Sequence, residues 1–187
     1  RLDPEVSGGD ISLGMALQAG GDRDGAFAAF RKVIGLDPAN AIAHSNLGVT
    51  LLKIGDVTEA IAAHTEAVRL RPDLAEVHYN LGLALQAGGN PGGAEAAFWK
   101  AVRRDPKFAP GHYRLGRALL ANGRVDAAIA SFEEAIRLVP TDAASHYNLG
   151  IARARRKDAG GAVTAYRKAI DLDPKFAEAH CNLGHHL

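Results

Sequence analysis

Residues 41–74 read AIAHSNLGVTLLKIGDVTEAIAAHTEAVRLRPDL, and residues 75–108 read AEVHYNLGLALQAGGNPGGAEAAFWKAVRRDPKF. Set one above the other, they share a histidine, an asparagine, a Leu-Gly pair, five alanines and a proline in register. The register is a 34-residue period that runs along the whole chain. Leu-Gly recurs at Leu13-Gly14, Leu47-Gly48, Leu81-Gly82, Leu115-Gly116, Leu149-Gly150 and Leu183-Gly184. Proline recurs at Pro4, Pro38, Pro72, Pro106, Pro140 and Pro174, and alanine at Ala26, Ala60, Ala94, Ala128 and Ala162. Three columns with one period identify a repeat architecture, in which each unit buries its apolar faces by stacking on its neighbours.

Each period reads as two helices. His44, Leu47, Gly48 and Leu51 follow helical spacing and form a packing stripe. Gly55 stands where a left-handed residue closes that helix. Asp56 is placed to cap the next one, as are Asp22, Asn90 and Asp158. Pro91 suits a first helical position, where its missing N–H costs nothing. The second helix turns Ala60, Ile61, His64, Ala67 and Val68 inward and stops before Arg71-Pro72, since the residue preceding a proline disfavours helical geometry. Gly48 and its equivalents, with the Ala60 and Ala67 columns, let the two helices approach closely. The column Phe30, His64, Phe98, Phe132 and Tyr166 is expected to fill the space toward the next repeat.

These columns resemble the tetratricopeptide repeat family over nearly the whole chain. With repeats starting at Ser7, Ala41, Ala75, Ala109, Ala143 and Ala177, the Leu-Gly, the later alanine, the aromatic and the closing proline fall in place. The resemblance implies an all-α fold, an α-solenoid of antiparallel helix pairs in a right-handed superhelix. Its concave groove would be lined mainly by the first helix of each pair. The expected organisation is a tail of a preceding repeat and linker over 1–6, five units at 7–40, 41–74, 75–108, 109–142 and 143–176, and a partial sixth repeat over 177–187.

Several positions depart from the family pattern. Histidine (His44, His78, His112, His146, His180) replaces a large aromatic near the start of the first helix. Gly8-Gly9 and Asp10 predict a late or frayed start in repeat one. In repeat five, Arg153 stands in an apolar position and Lys157 in a glycine position. The expectation there is local irregularity, or packing through the arginine stem. Neither end resembles a polar capping repeat, so the chain is expected to be a segment of a longer array, or else to stack through its open ends.

Composition narrows the function. Of 187 residues, 22 are Lys or Arg and 21 are Asp or Glu, a formal charge of +1 that argues against a dedicated nucleic-acid binder. No apolar run approaches the roughly 20 residues needed to span a bilayer, so no membrane partner is expected. One cysteine, Cys181, excludes an internal disulfide; the compartment stays open, with the cytoplasm favoured. The phosphate-loop, zinc-protease and nucleophile-elbow motifs are absent, and Gly88-Gly89-Asn90-Pro91-Gly92-Gly93 follows no strand. No enzymatic activity, cofactor or metal is expected. Columnar histidines would stand roughly 10 Å apart on stacked helices. Metal–nitrogen bonds are near 2 Å, so these histidines read as packing residues that place one ring nitrogen on a polar partner. His180, His185 and His186 could at most chelate weakly.

The other face of each first helix carries the better signal. Repeat position six gives Asn46, Asn80, Arg114, Asn148 and Asn182, with Ser12 in repeat one; position five gives Ser45, Tyr79, Tyr113, Tyr147 and Cys181. Asparagine offers donor and acceptor together, so a column of them can pair with an extended peptide backbone without reading its side chains. Tyrosines add rigid contact area with a polar tip. Arg114, Arg117 and Arg155 share the face and suit carboxylates or aromatic rings. The asparagine column is similar to the ladder lining the peptide groove of O-GlcNAc transferase repeat domains, which implies Asn46, Asn80, Asn148 and Asn182 as backbone clamps, with Arg114 interrupting. Carboxylate-clamp repeat domains are a poorer match: Asn80 and Arg114 fit, whereas Ser45, Val49 and Pro110 stand where that clamp needs Lys, Asn and Lys. Asparagine there can also bond locally within the helix pair, a purely architectural role.

The expectation is a non-enzymatic protein–protein interaction scaffold that binds an extended peptide or partner helix in the groove. Two alternatives stand beside it. One is self-association through open solenoid ends, into oligomers or filaments. The other is the recruiting array of a larger enzyme such as a glycosyltransferase or kinase.

Overall fold

The computed structural model describes residues 4–185, and among them every element is a helix. The chain divides into two compact units, meeting between Arg104 and Asp105. The first unit holds α1 (Pro4–Ala19), α2 (Arg23–Leu36), α3 (Ala41–Ile54), α4 (Val57–Leu70), α5 (Ala75–Ala87) and α6 (Pro91–Arg104). The second holds α7 (Ala109–Ala121), α8 (Val125–Leu138), α9 (Ala143–Arg155), α10 (Ala159–Leu172) and α11 (Ala177–Gly184). Each unit is an α-solenoid of helix pairs, with first helices starting at Ala41, Ala75, Ala109, Ala143 and Ala177.

The termini of these helices follow from their sequence. Asp22, Asp56 and Asp158 accept the backbone N–H three residues on, at 2.9, 3.0 and 2.9 Å. Asn90 does the same for Gly93 at 2.9 Å, ahead of a helix that opens on Pro91. Such caps satisfy donors that have no partner inside the helix. Gly55 closes α3 at φ 101°, and Gly21, Gly89 and Gly123 take the same left-handed backbone. Lys157 occupies that position in repeat five at φ 66°. A side chain there costs about 1 kcal/mol or more, which the glycine of the other repeats avoids.

The ring column packs in two directions. Each ring lies on the glycine of its own repeat, and Phe30 also joins one buried cluster with Leu47 and Leu51 of the next repeat. A Cβ built on Gly14, Gly48, Gly82, Gly116 or Gly150 would stand 2.5–2.7 Å from Phe30, His64, Phe98, Phe132 or Tyr166, respectively. The absent side chain is the seat of the ring, and the rings are buried in consequence. Small neighbours complete the seat: Ala26, Ala60, Ala94, Ala128 and Ala162 are all within 1% of full burial.

Two departures resolve as follows. Instead of a late start, α1 begins at Pro4, ahead of Gly8-Gly9. It is held further along by the ring of Phe30 on Gly14 and by Lys32, whose Nζ donates to Asp10 at 3.0 Å. Residues 1–3, which include most of the expected tail, lie outside the described residues. In repeat five, α9 is continuous to Arg155, and the stem of Arg153 packs against Gly161 while its Nη2 donates to Glu133 at 2.9 Å.

His64 is the exception within the ring column. It is fully buried, and neither ring nitrogen has a hydrogen-bond partner among the described residues. Burial disfavours its charged form and lowers its pKa from 6.5 to about 4.

Three outcomes follow from this packing. Gly82→Ala should destabilise the chain by about 1–3 kcal/mol in urea melts, against the usual gain of alanine in a helix, because the Phe98 ring has no room to yield. Lys157→Gly should raise the urea midpoint, by about 1 kcal/mol of stability. His64 has a folded pKa below its unfolded one, so it weakens the fold as pH falls through 6.5 toward about 4. His64→Phe should remove roughly 2 kcal/mol of the stability loss between about pH 6.5 and about pH 5, read as the difference in urea midpoints between variant and wild type.

Candidate functional site

The first turn of each first helix is pinned by its histidine. Nε2 of His44, His78, His112 and His146 lies 3.0 Å from the carbonyl oxygen of Pro38, Pro72, Pro106 and Pro140, and that of His180 lies 3.1 Å from Pro174. An N–H donated to that oxygen ties the helix to the loop that precedes it. Positions five and six follow directly in the chain, so the same bond orients them alike in successive repeats. His185 Nδ1 lies 2.8 Å from the Cys181 carbonyl, and His186 is outside the described residues.

Positions five and six join across neighbouring repeats. In the first unit, Asn80 Nδ2 donates to Ser45 Oγ at 3.1 Å. In the second, Asn148 Nδ2 donates to the Tyr113 hydroxyl at 3.4 Å and to the Ala144 carbonyl at 2.8 Å. Asn182 Nδ2 donates to the Tyr147 hydroxyl at 3.2 Å. Each of the three rungs therefore runs from an amide back to the hydroxyl of the preceding repeat. The amide nitrogens of these half-buried asparagines are engaged within the protein, and an asparagine oxygen can in addition accept. Asn46 is half-buried at the same position, and its own backbone carbonyl accepts from Thr50 Oγ1 at 2.9 Å.

The tyrosines are set by rings beneath them. Tyr79 packs on Phe98 with centroids 5.9 Å apart, Tyr113 on Phe132 at 6.3 Å, and Tyr147 on Tyr166 at 5.9 Å. Tyr147 also meets Phe176 at 4.7 Å. Tilted contacts in this range fix a ring without covering its hydroxyl. Burial, with Glu178 nearby, raises the Tyr147 phenol above its ordinary pKa, so it remains a protonated donor and acceptor through neutral pH.

The three arginines separate into two arrangements. Arg114 and Arg117 bring their guanidinium carbons to 5.9 and 5.8 Å from the Tyr113 ring centroid. Cations at that distance are held by the ring quadrupole and still offer donors to an anion. Arg155 is engaged elsewhere: its Nη1 donates to the Leu120 carbonyl in the last turn of α7 at 2.9 Å.

Beside Tyr113 the second unit opens a hollow of about 530 Å³. Pro110, Tyr113, Ala135, Val139 and Ala144 give it a largely apolar wall, and Asp142 and Ser145 stand at its polar side. Asp142 is committed to capping α9 through the Ser145 N–H at 3.1 Å. Sequence reasoning missed this hollow and the part of Ser45 as a rung. The signal for the rungs was available as a separation of 35 residues, one repeat plus one position.

The sequence pattern of the tetratricopeptide repeat family matches residues 11–75, 51–109, 79–143 and 113–177. No curated protein matches the chain. Among solved structures, a crystal structure of MamA protein is 28% identical, covers 94% of this chain and 96% of its own, and superposes with a TM-score of 0.80. A second MamA crystal structure is 30% identical, with coverages of 89% and 97% and a TM-score of 0.79. YrrB, described as a TPR protein with an unusual peptide-binding site, shares the fold at 24% identity, coverages of 92% and 89%, and a TM-score of 0.79.

Proposed function

Because this chain belongs to the tetratricopeptide repeat family, whose fold supports protein–protein interaction scaffolds, we propose that it is a non-enzymatic scaffold holding an extended peptide along its first helices. The rungs are the observation that carries this reading. Each asparagine is oriented by a bond from its amide nitrogen, which restrains rotation of the whole amide, its oxygen included. Ordering such an acceptor in advance removes part of the entropy cost of binding a peptide N–H. Backbone pairing of this kind is tolerant of peptide sequence.

Specificity in this reading comes from the surroundings of Tyr113. The apolar hollow beside it has the volume for a large apolar side chain. Arg114 and Arg117, over the same ring, favour a carboxylate two or three residues along the peptide. The second unit thus reads an apolar residue followed or preceded by an acidic one. Asn46 and Asn80 give the first unit its own, less selective, stretch.

A peptide selected from a random library on the full chain supplies the probe. Asn148→Ala and Tyr113→Ala should each weaken its binding by about 1–2 kcal/mol, or roughly 5- to 30-fold, in fluorescence polarisation. Arg117→Ala should weaken peptides with an acidic residue more than those without. Unchanged affinity in Asn148→Ala and Tyr113→Ala, with helical content retained, would falsify the reading.

A further inference from the structure

A second hollow lies in the first unit, among α4, α5 and α6. It measures about 370 Å³ and is lined by Val68 of α4, Pro72, His78 of α5, and Lys100, Arg103 and Arg104 of α6. Its lining carries three cations and no carboxylate. The Nε2 of His78 lies 3.0 Å from the Pro72 carbonyl in the pinning bond common to the repeats. Asp73 is within electrostatic reach of Arg104, but its carboxylate is already held by Arg71 at 3.2 Å.

The repeats supply their own control. Lys100 stands at the repeat position of Glu66 and Glu134, and Arg103 at that of Arg69 and Arg137. Glu66 and Glu134 neutralise those arginines in i,i+3 pairs at 2.6 Å. In α6 the glutamate is a lysine, so the arginine has lost its partner and gained a like charge. Arg104 adds a third cation at a position where the other repeats have Leu36, Leu70, Leu138 and Leu172. The equivalent hollow one repeat earlier, between α2 and α4, is lined by Glu59 and Glu66 with Arg31. One inter-repeat hollow is thus basic where its predecessor is mixed. The carbonyl end of the α6 dipole offsets part of the repulsion among the cations and lets them gather there.

We propose that the hollow between α4 and α6 docks an acidic segment of a partner protein, with clustered Asp or Glu side chains reaching Lys100, Arg103 and Arg104. Val68 and Pro72 give the hollow an apolar part, and the three cations line it without competition from a lining acid. A lone carboxylate on any one of them is a weak exposed pair; a cluster of carboxylates meets all three at once. This site uses none of the residues of the first-helix rungs, so it stands or falls separately from the peptide reading.

The test uses the full chain and a fluorescein-labelled hexaglutamate peptide, read by fluorescence polarisation at low ionic strength. Lys100→Glu restores the glutamate–arginine pairing that two other repeats already accommodate, so folding is retained. It should weaken binding about tenfold. Lys168→Glu makes the same charge change at the same repeat position in α10 and should leave affinity within about twofold. Raising salt to about 0.3 M should abolish most of the binding, since the Debye length shrinks below about 6 Å. Equal loss in the two variants would mean that net charge alone is read, and the site would be refuted. So would absence of wild-type binding, or binding indifferent to salt. A phosphoserine peptide of equal charge that displaces hexaglutamate at a tenth of its concentration would overturn the assignment to carboxylates.

Discussion

A ring seated on a glycine sets the distance between the two helices of every complete repeat. The seat exists because position eight of each repeat has no Cβ, and any added carbon would overlap the ring at 2.5–2.7 Å. Close-packed interiors do not absorb overlaps of that size, so the interhelical distance is set by chemistry at one residue. Repeat two shows that the shape of the seat dominates over the nature of its occupant. His64 sits there as an imidazole with two unsatisfied nitrogens, and the pair closes around it as it does around phenylalanine.

With the pair fixed, the histidine-to-proline-carbonyl bond fixes its entry. The next two residues of the first helix then present hydroxyl and amide groups at one orientation, and neighbouring repeats join them into rungs. The bonds within the rungs are modest individually. What they contribute is restraint: an amide that would otherwise rotate freely is held in one orientation. The pinning histidine and the rung residues are therefore consecutive residues of one helix turn, which links the stability of the pair to the geometry of that face.

The second helices present a different chemistry. The chain is nearly neutral as a whole, with 22 basic and 21 acidic side chains. That balance is local in α4 and α8, where Glu66 and Glu134 hold Arg69 and Arg137. It fails in α6, where Lys100 takes the glutamate's place. Electrostatic recognition acts over about a Debye length of 8–10 Å, so such a cluster acts on a partner regardless of the total. A net charge near zero leaves room for a single basic hollow.

The period, the two-helix unit, the caps Asp22, Asp56, Asn90 and Asp158 and the family were legible in the sequence, because each depends on neighbours within one helix turn or on exact recurrence at 34 residues. The stripe of Asn80, Tyr113 and Asn148 was legible as a face for the same reason. Tertiary structure decided what those side chains do. It set each ring on the glycine of its own repeat, turned the asparagine donors back onto hydroxyls 35 residues earlier, and drew Arg155 away to the Leu120 carbonyl. It also carried α1 through its glycines to Pro4. These outcomes depend on distances between helices, which a pattern along one dimension does not contain; a side chain's partner is chosen only when packing has brought the candidates within reach.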